Sequence, residues 1–366
     1  MSAGKRAFWA PGRLNLIGEF TDLCGGLVLP VALQLGVRIE AVAADAIRLR
    51  SHDLGGEARL DADGTPSGGS TGWPRYVSAV AGELALLGRP AVGVEGEITS
   101  TLPVGTGLSS SAALEVAVAS ALCAVAEFPL EPLELAQATR RAEHRAVGVP
   151  CGIMDQAASV LGRAGHALLL DTASLEYEHV PLPGDLGLVV VYSGVPHRLE
   201  DSAYGARQRE LAQALEGLDG RDVRALRAAE VDSLGLPPVL ARRLRHVVSE
   251  NGRVREVVRL LRDIHAGRER LGDVFRESHE SLRRDFEATT SELDLLVDLA
   301  YDQGAFAARM TGGGFGGSIV ALVDARDADA VADAILTRYL TRGNPDAWAA
   351  VCTASDGARE LEPSVR

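Results

Sequence analysis

The sequence contains few cysteines and no long apolar run. Its four cysteines are widely separated and form no CxxC pair; they are Cys24, Cys123, Cys151 and Cys352. Such spacing favours free thiols over a disulfide framework or a zinc site. No apolar run reaches the roughly 18 residues of a membrane span, and the N-terminal MSAGKRAFWAPG lacks the apolar core of a secretory signal. We therefore expect a cytoplasmic protein with no membrane partner.

Basic residues are outnumbered by acidic ones. The chain has 37 Lys and Arg residues against 50 Asp and Glu residues, which gives a formal net charge of −13. A surface that coats nucleic acid would be basic, so we expect no nucleic-acid partner. An acidic protein can still bind a small anion where the site itself is locally positive. We expect a small-molecule ligand and a monomer or weak homo-oligomer.

The pattern of the chain predicts an α+β protein. Its 366 residues exceed the length over which one core keeps growing, which favours one large domain or two joined domains. Strand-type runs dominate the first hundred residues, and helical periodicity begins at Ser109. The predicted strands are 27–33, 36–44, 92–99, 166–173, 186–194, 318–325 and 347–354. The predicted helices are 109–128, 133–148, a short one from about 153, most of 200–303, and 326–341.

A glycine-rich loop precedes the first predicted helix. Residues 103–112 read PVGTGLSSSA. Gly105 and Gly107 permit positive φ and a close approach of backbone to a ligand. The helix that begins after Leu108 directs its free N–H groups and the positive end of its dipole at this loop. A tight turn before a buried helix would need only one glycine, so two glycines followed by three hydroxyls favour a phosphate site.

The familiar nucleotide motifs do not account for this loop. GxxxxGK[ST] occurs nowhere in the chain, and GTGLSS lacks the third glycine of a dinucleotide fingerprint. The run GGGFGG at 312–317 does match GxGxxG. However, it follows a helical stretch and precedes a strand, whereas the dinucleotide motif needs the reverse order.

Without a loop lysine, a metal ion is needed to balance phosphate charge. Ser111 is a candidate Mg²⁺ ligand, because a hydroxyl at a helix start can share the ion with phosphate oxygens. Glu143 and Asp155 bracket the segment EHRAVGVPCGIMD and are candidate carboxylates. Taken alone, either acid is more often a solvated helix residue or a helix cap.

Three stretches together resemble the motifs of the GHMP small-molecule kinases. They are APGRLNLIGEFTDLCGG at 10–26, PVGTGLSSSA at 103–112 and ARMTGGGFGG at 308–317. The first resembles the signature of the galactokinase branch, and GVPCGIMDQ at 148–156 resembles the catalytic segment of that branch. The resemblance spans nearly the whole chain, with the motifs in order.

The resemblance implies a fold and two domains. The fold is the two-domain α+β GHMP-kinase fold, with a ribosomal protein S5 domain 2-like N-terminal domain, a ferredoxin-like C-terminal domain and an active site in the cleft between them. On this basis we expect an N-terminal domain at 1–190, carrying the sugar signature and the nucleotide loop. The third motif would then lie in a C-terminal domain at 191–366.

The resemblance also implies an ATP-dependent kinase that phosphorylates the anomeric hydroxyl of D-galactose. Asp155 would be the base, Arg13 would stabilise the transition state, and Ser111 and Glu143 would hold Mg²⁺. Arg13 would also favour the charged form of Asp155. The implied sugar contacts are Glu19, Phe20, Thr21, Asp22, Gly152 and Tyr204. The implied ATP contacts are Gly105, Thr106, Gly107, Leu108, Ser109, Ser110 and Ser111.

The sugar-binding stretch departs from the family pattern. The usual Glu-His-Thr-Asp followed by Tyr and Asn is here EFTD followed by Leu23 and Cys24. In the family pattern the histidine reaches the C6 hydroxyl of the sugar, and the Phe20 ring cannot make that hydrogen bond. An unpaired hydroxyl in a closed site costs roughly 1–3 kcal/mol. Galactose therefore has alternatives: N-acetylgalactosamine, a C6-modified galactose, or L-arabinose.

Two other classes of function stay open at this point. A non-catalytic sugar and ATP sensor would have a damaged serine loop or base, but GLSSSA and Asp155 are intact. A mevalonate- or homoserine-type kinase would share only the nucleotide half, and the intact GRLNLIGE with its following TD argues against it.

Overall fold

The computed structural model describes residues 4–65, 71–103, 105–148, 150–196, 202–218 and 220–362. Helices and three sheets are interleaved, so the α+β prediction is confirmed. All four cysteines are free, as expected. Within the described ranges, no helix has the length and apolar character required to cross a bilayer.

The largest sheet has six strands and carries the first motif. In spatial order these are β13 (Arg359–Leu361), β1 (Arg6–Asn15), β3 (Pro30–Ala44), β6 (Gly93–Ser100), β4 (Ala46–Ser51) and β5 (Glu57–Asp61). All neighbours pair antiparallel except β4 with β6. The register of β1 against β3 shifts between Pro11 and Arg13. Such irregularities re-aim side chains, and this one lies directly before Arg13.

Four helices cover this sheet and carry the second motif. They are α1 (Pro74–Leu86), α2 (Ser110–Val125), α3 (Pro132–Val147) and α4 (Met154–Leu161). Helices α1, α2 and α4 lie against the strands, and α3 packs on these three helices. Helix α2 is rich in Ala, Val and Leu and is buried on nearly all sides, which matches its central position. Helix α3 starts with a capping box between Glu131 and Glu134 and ends at Gly148 in the left-handed conformation.

The second half of the chain builds a four-stranded antiparallel sheet covered by helices. Its strands in spatial order are β10 (Ala307–Thr311), β11 (Ser318–Asp324), β9 (Leu186–Tyr192) and β12 (Trp348–Cys352). The helices are α5 (Ser202–Glu216), α6 (Ala228–Val231), α7 (Pro238–Leu261), α8 (Ile264–Ser281), α9 (Ser291–Asp302) and α10 (Ala328–Leu340). A π-helical turn at Leu282–Phe286 follows α8. A third, small sheet joins β2 (Leu27–Val28), β7 (His166–Asp171) and β8 (Tyr177–Pro181).

Strand β9 links the two main hydrophobic cores. Leu188 and Val190 on one face belong to the core under the six-stranded sheet, while Val189 and Val191 belong to the second core. Alternate side chains of a strand point to opposite faces, so one buried strand can serve both. The division expected at residue 190 falls within β9, and the position of a domain boundary stays a prediction.

Most of the predicted elements are confirmed, but helix α1 and the strands β4, β5, β8, β10 and β13 were not among those predicted. The helix predicted at 109–128 is α2, and the one predicted at 133–148 is α3. The GGGFGG run is the turn between β10 and β11, as its position before a strand indicated. Helix α1, however, lies in a stretch that we read mainly as strands. Its start at Pro74 in the first helical turn and its apolar face are helix signals that the surrounding β-rich runs obscured.

Candidate active site

An arginine and a carboxylate meet at the centre of the site. Arg13 lies near the C-terminal end of strand β1, and Asp155 lies in the first turn of helix α4. The Nε and a terminal nitrogen of Arg13 lie 2.8 and 2.6 Å from Oδ1 of Asp155. Arg13 is only 6% exposed, so this cation is held within the protein. A fixed positive charge beside a carboxylate is suited to phosphate and hydroxyl chemistry.

The glycine-rich loop is tied to the same arginine. Another terminal nitrogen of Arg13 donates to the carbonyl of Gly107 at 2.6 Å, and its backbone N–H donates to the carbonyl of Leu108 at 3.1 Å. A Cβ on Gly12 would lie 2.5 Å from that Leu108 carbonyl oxygen, so a glycine permits the close approach. Gly105 and Gly107 both have positive φ, as the sequence predicted.

The side chains of the loop are not equally available to a ligand. Thr106 and Leu108 are buried, and the Thr106 hydroxyl donates to the carbonyl of Pro103. Ser109 donates its hydroxyl to Oδ2 of Asp155 at 2.5 Å. What the loop can offer a phosphate is therefore mainly its backbone N–H groups and the start of α2.

The two predicted metal ligands are adjacent. The Ser111 hydroxyl donates to Oε1 of Glu143 at 2.8 Å. The Gln156 amide donates to Oε2 of Glu143 at 2.6 Å and to Oε2 of Glu115 at 3.2 Å. Burial, then the charge of Glu143, raises the pKa of Glu115 well above its usual value. Burial, then the charge of Asp155, also raises the pKa of Glu143.

This donor set fits a magnesium ion. Ser111 and Glu143 offer one hydroxyl and one carboxylate, and Mg²⁺ commonly binds one or two protein oxygens and completes its shell with phosphates and water. Glu143 is 7% exposed and no arginine or lysine contacts it within the described residues. Burial and the charge of Asp155 raise the pKa of its carboxyl, and a bound divalent cation would oppose that shift. No group of three or more His, Cys, Asp or Glu in the described part of the chain could bind a metal ion by itself.

Glu19 is committed to a buried ion pair. One of its oxygens pairs with Arg309, and Oε1 accepts a hydrogen bond from the Gly312 N–H at 3.1 Å. Arg309 is fully buried and also lies 3.6 Å from Glu250 on α7. Burial raises the pKa of Glu19 despite the neighbouring arginine. Thr21 is buried as well, and its hydroxyl donates to the carbonyls of Gly18 and Leu27.

Phe20 lies in an aromatic cluster beside this motif. Its ring stacks on Phe286 with centroids 4.0 Å apart, and the centroid of Tyr204 lies 6.0 Å away. His246 lies at 6.3 Å and meets the Phe20 ring edge-on. The backbone of Phe20 has φ 66°, a left-handed conformation that few residues with a side chain adopt. Burial raises the pKa of Tyr204 far above its usual value.

Asp22 and Gly152 are packed together next to the central pair. A Cβ on Gly152 would lie 1.6 Å from Oδ2 of Asp22, so only glycine fits at this position. Burial, then the negative charge of Asp155, raises the pKa of Asp22 to about 7. The positive charge of Arg13 opposes that shift. Asp22 is thus a hydrogen-bond acceptor close to Asp155, and its carboxyl titrates near neutral pH.

The third motif completes the site by contacting the other two. The Thr311 hydroxyl donates to the carbonyl of Asn15 at 2.9 Å, and the backbone N–H of Asn15 donates to that hydroxyl at 3.0 Å. A Cβ on Gly312 would meet the carbonyl of Gly107 at 3.2 Å. The Ser318 hydroxyl donates to the carbonyl of Thr106 at 2.8 Å. Segments nearly 300 residues apart in sequence are therefore in direct contact.

Three residues that support the site were not among the predicted site residues. Gln156 and Glu115 form the inner support of Glu143, and Arg309 supports Glu19. Gln156 follows Asp155 directly, and Glu115 lies one helical turn after Ser111, so helical spacing could have found Glu115. Arg309 lies within the third motif, ARMTGGGFGG, but only the tertiary structure pairs it with Glu19.

Three family models match this chain. The GHMP kinases N terminal domain matches residues 75–163, and the GHMP kinases C terminal matches residues 257–341. The galactokinase galactose-binding signature matches residues 2–42. The matches follow the order of the three motifs and confirm the GHMP-kinase fold.

Whole-chain relatives agree with these matches. A galactokinase of Pyrococcus furiosus is 38% identical over 95% of this chain and 97% of its own length. A galactokinase of Streptomyces coelicolor is 42% identical over 96% of this chain and 93% of its own. The crystal structure of Lactococcus lactis galactokinase complexed with galactose superposes with a TM-score of 0.91 at 32% identity, covering 98% of this chain and 96% of that one. A mevalonate kinase structure, at 19% identity and a TM-score of 0.66, shares the fold.

Proposed function

The chain belongs to the galactokinase family of the GHMP kinases, and we propose that it transfers the γ-phosphoryl group of ATP to the anomeric hydroxyl of D-galactose. The chain is thus an enzyme and a sugar kinase. The proposed reaction rests on the pair formed by Arg13 and Asp155. Arg13 also donates a hydrogen bond to the Gly107 carbonyl of the glycine-rich loop.

The pair suits the two tasks of phosphoryl transfer. The transition state is loose, so the protein must align the attacking oxygen and neutralise phosphate oxygens. Asp155 would accept the proton of the anomeric hydroxyl while that oxygen bonds to the γ-phosphorus and the bond to the ADP oxygen breaks. Arg13 would supply fixed charge beside the transferred group and hold Asp155 in place.

The loop and the start of α2 would bind the nucleotide phosphates through backbone N–H groups. Ser111 and Glu143 would hold Mg²⁺, which when bound supplies charge against the phosphate oxygens. Asp22, Gly152 and Tyr204 lie around the central carboxylate and would contact the sugar. Glu19 and Thr21 are buried and bonded to the protein, so we propose that they shape the sugar site through the backbone that they hold.

A related sugar is a second candidate, and Phe20 favours it. Its ring packs between Phe286, His246 and Tyr204, so it offers no hydrogen bond where the family pattern has a histidine. A sugar without a C6 hydroxyl to satisfy, such as L-arabinose or a C6-modified galactose, would lose nothing there. N-acetylgalactosamine is the remaining member of this group. The intact Arg13–Asp155 pair argues against a non-catalytic sensor.

The test is a sugar panel with Mg-ATP, scored by the sugar 1-phosphate formed and the ADP released. The panel contains D-galactose, N-acetylgalactosamine, galacturonate, L-arabinose and mevalonate. We expect D-galactose to be the best substrate. If no galactose-configured sugar yields a 1-phosphate, the proposal is wrong; a preference for another member would support the second candidate.

The variant Asp155→Asn tests the base in the same assay. General base catalysis contributes about 10²–10⁴-fold, so kcat should fall by at least the lower figure. Sugar affinity should change far less, because an amide still hydrogen-bonds a hydroxyl. A folded variant whose kcat stays within a few-fold of the parent would refute the base assignment.

A further inference from the structure

Ser109 has an unusual backbone for its position. It is the N-cap of α2, with φ 59° and ψ 47°, in the left-handed region. An N-cap serine ordinarily has an extended backbone, and its hydroxyl accepts a hydrogen bond from an N–H of the first helical turn. Ser109 makes no such bond. Its hydroxyl instead donates to Oδ2 of Asp155 at 2.5 Å.

We propose that Ser109 is a positioning residue for Asp155, and that its main role is not contact with the nucleotide. This inference rests on the proposed function, in which Asp155 is the base. The two carboxylate oxygens are held from opposite sides, because Arg13 contacts Oδ1 and Ser109 contacts Oδ2. Rotation of the carboxylate about its Cβ–Cγ bond would break both contacts. Each oxygen keeps further lone pairs, so the carboxylate can still accept the proton of the sugar hydroxyl.

These contacts form a closed ring through the glycine-rich loop. Gly107 accepts from Arg13, Arg13 bonds to Asp155, Asp155 accepts from Ser109, and Ser109 is two residues from Gly107. The orientation of the base is thereby fixed by the segment that would bind phosphate. A displacement of about 1 Å in such a group can reduce the rate about 10²-fold.

The same backbone conformation leaves the helix start available to an anion. Because the Ser109 side chain points to Asp155, it caps none of the first N–H groups of α2. Those groups carry the positive end of the helix dipole. One left-handed residue therefore separates two roles: the helix backbone faces the phosphates, and the serine hydroxyl faces the base.

The first experiment compares three variants by kcat and KM. Ser109→Ala removes the hydroxyl, and we expect kcat to fall about 10- to 100-fold with the KM for ATP and for galactose within about twofold. Ser120→Ala is the matched control, since Ser120 is a half-buried serine on the same helix α2 and donates its hydroxyl to the Val116 carbonyl of that helix; its kcat should stay within about twofold. A tenfold rise in the KM for ATP with kcat unchanged in Ser109→Ala would overturn the proposal in favour of a nucleotide contact.

Ser109→Gly separates the hydroxyl from the shape of the loop. Glycine adopts the left-handed conformation without strain, so this variant should keep the parental shape of the loop. Its kcat should nevertheless be as low as that of Ser109→Ala. A Ser109→Gly variant with parental kcat would overturn the proposal, because the hydroxyl would then be dispensable.

A double-mutant cycle tests whether Ser109 acts through Asp155. In an Asp155→Asn background, Ser109→Ala should change kcat by less than about twofold, since residues that act as a unit are not additive. An undiminished effect of Ser109→Ala in that background would overturn the proposal. A parallel cycle with Asp155→Ala, measured by urea unfolding without ligands, should also be non-additive, and full additivity there would contradict the contact. If the parent phosphorylates no sugar, the proposed function fails while this unfolding cycle still decides the Ser109–Asp155 contact.

Discussion

At the scale of single residues, arginine supplies the fixed positive charge of the site. Lys5 is the only lysine of the chain, and it pairs with Glu40 on the six-stranded sheet. Arg13 can contact a carboxylate and a carbonyl at once, because its planar guanidinium carries five donors. A lysine has no such fork. The glycine-rich loop has no lysine of its own, and Arg13 from strand β1 supplies the positive charge beside it.

Asp22 gives a prediction about pH. Its pKa is raised from 3.8 to about 7 in the folded protein, so between these values the folded state binds a proton that the unfolded state has lost. Stability from this group therefore falls as pH rises from about 4 to 7. Asp22→Asn removes the ionisation, so the stability of the variant relative to the parent should be higher at pH 8 than at pH 4.

Urea unfolding of both proteins at the two pH values measures this difference. Asp63→Asn is the control, because Asp63 is a surface turn residue whose pKa is lowered by hydrogen bonds to Thr65. The stability of that variant relative to the parent should not rise between pH 4 and pH 8. An Asp22→Asn variant whose relative stability is the same at both pH values would contradict the raised pKa.

At the scale of elements, the site depends on how four helices and one strand end meet. Glu83 on α1 accepts from Arg141 at 3.0 Å and from Arg145 at 2.5 Å, both on α3. Because Arg141 and Arg145 are one turn apart, they share a helix face, and Glu143 lies between them on another face. The pairing to α1 thus holds α3 with Glu143 directed at Ser111 on α2.

Glu143→Gln tests the metal assignment of that arrangement. The amide keeps the shape of the side chain but removes the charge that should hold Mg²⁺. We expect the apparent affinity for Mg²⁺ in the kinase assay to fall at least about tenfold, and direct titration of Mn²⁺ with nucleotide present should show the same loss. Glu134→Gln, on the exposed first turn of α3, is the matched control, since glutamine also serves in a capping box. If the metal dependence of Glu143→Gln is unchanged, Glu143 is not a metal ligand.

At the scale of the whole molecule, a buried charged network joins the first and third motifs to α7 and α8. Arg309 contacts Glu19 and Glu250, and Glu250 also accepts from Arg253 and Ser278. Burial opposes ionisation of Glu250, but the charges of Arg253, Arg309 and His246 lower its pKa to about 2. Removing one partner from such a network leaves another charge buried without compensation.

Arg309→Met should therefore destabilise the protein by about 3–5 kcal/mol. Urea unfolding at pH 7 measures the change in free energy. Arg262→Met is the control: its ion pair with Glu178 is 2.6 Å long but half-exposed, and such pairs contribute about 0–1 kcal/mol. A loss below about 1 kcal/mol for Arg309→Met would show that the buried network contributes no more than the surface pair.

The sequence by itself determined which local structures form and which chemistry they can support. Gly105 and Gly107 before three serines predicted a loop with positive φ leading into a helix, since these preferences are local to the backbone. The run of helix-forming apolar residues in α2 and the end of α3 at Gly148 were readable for the same reason. The three motifs also identified the family, because the residues within each motif are contiguous in sequence.

Only the tertiary structure decided which of these residues meet and which oxygen each donor reaches. Arg13 contacts Asp155 across 142 residues, and Arg309 pairs with Glu19 across almost 300. Such contacts depend on how strands and helices pack. The conformational preferences of single residues do not determine which distant residues come into contact. The same holds for Ser109, whose hydroxyl could have capped α2 but donates to Asp155 instead. Chain propensities fix the conformations that a loop can adopt, and the packing of distant elements against it selects one of them.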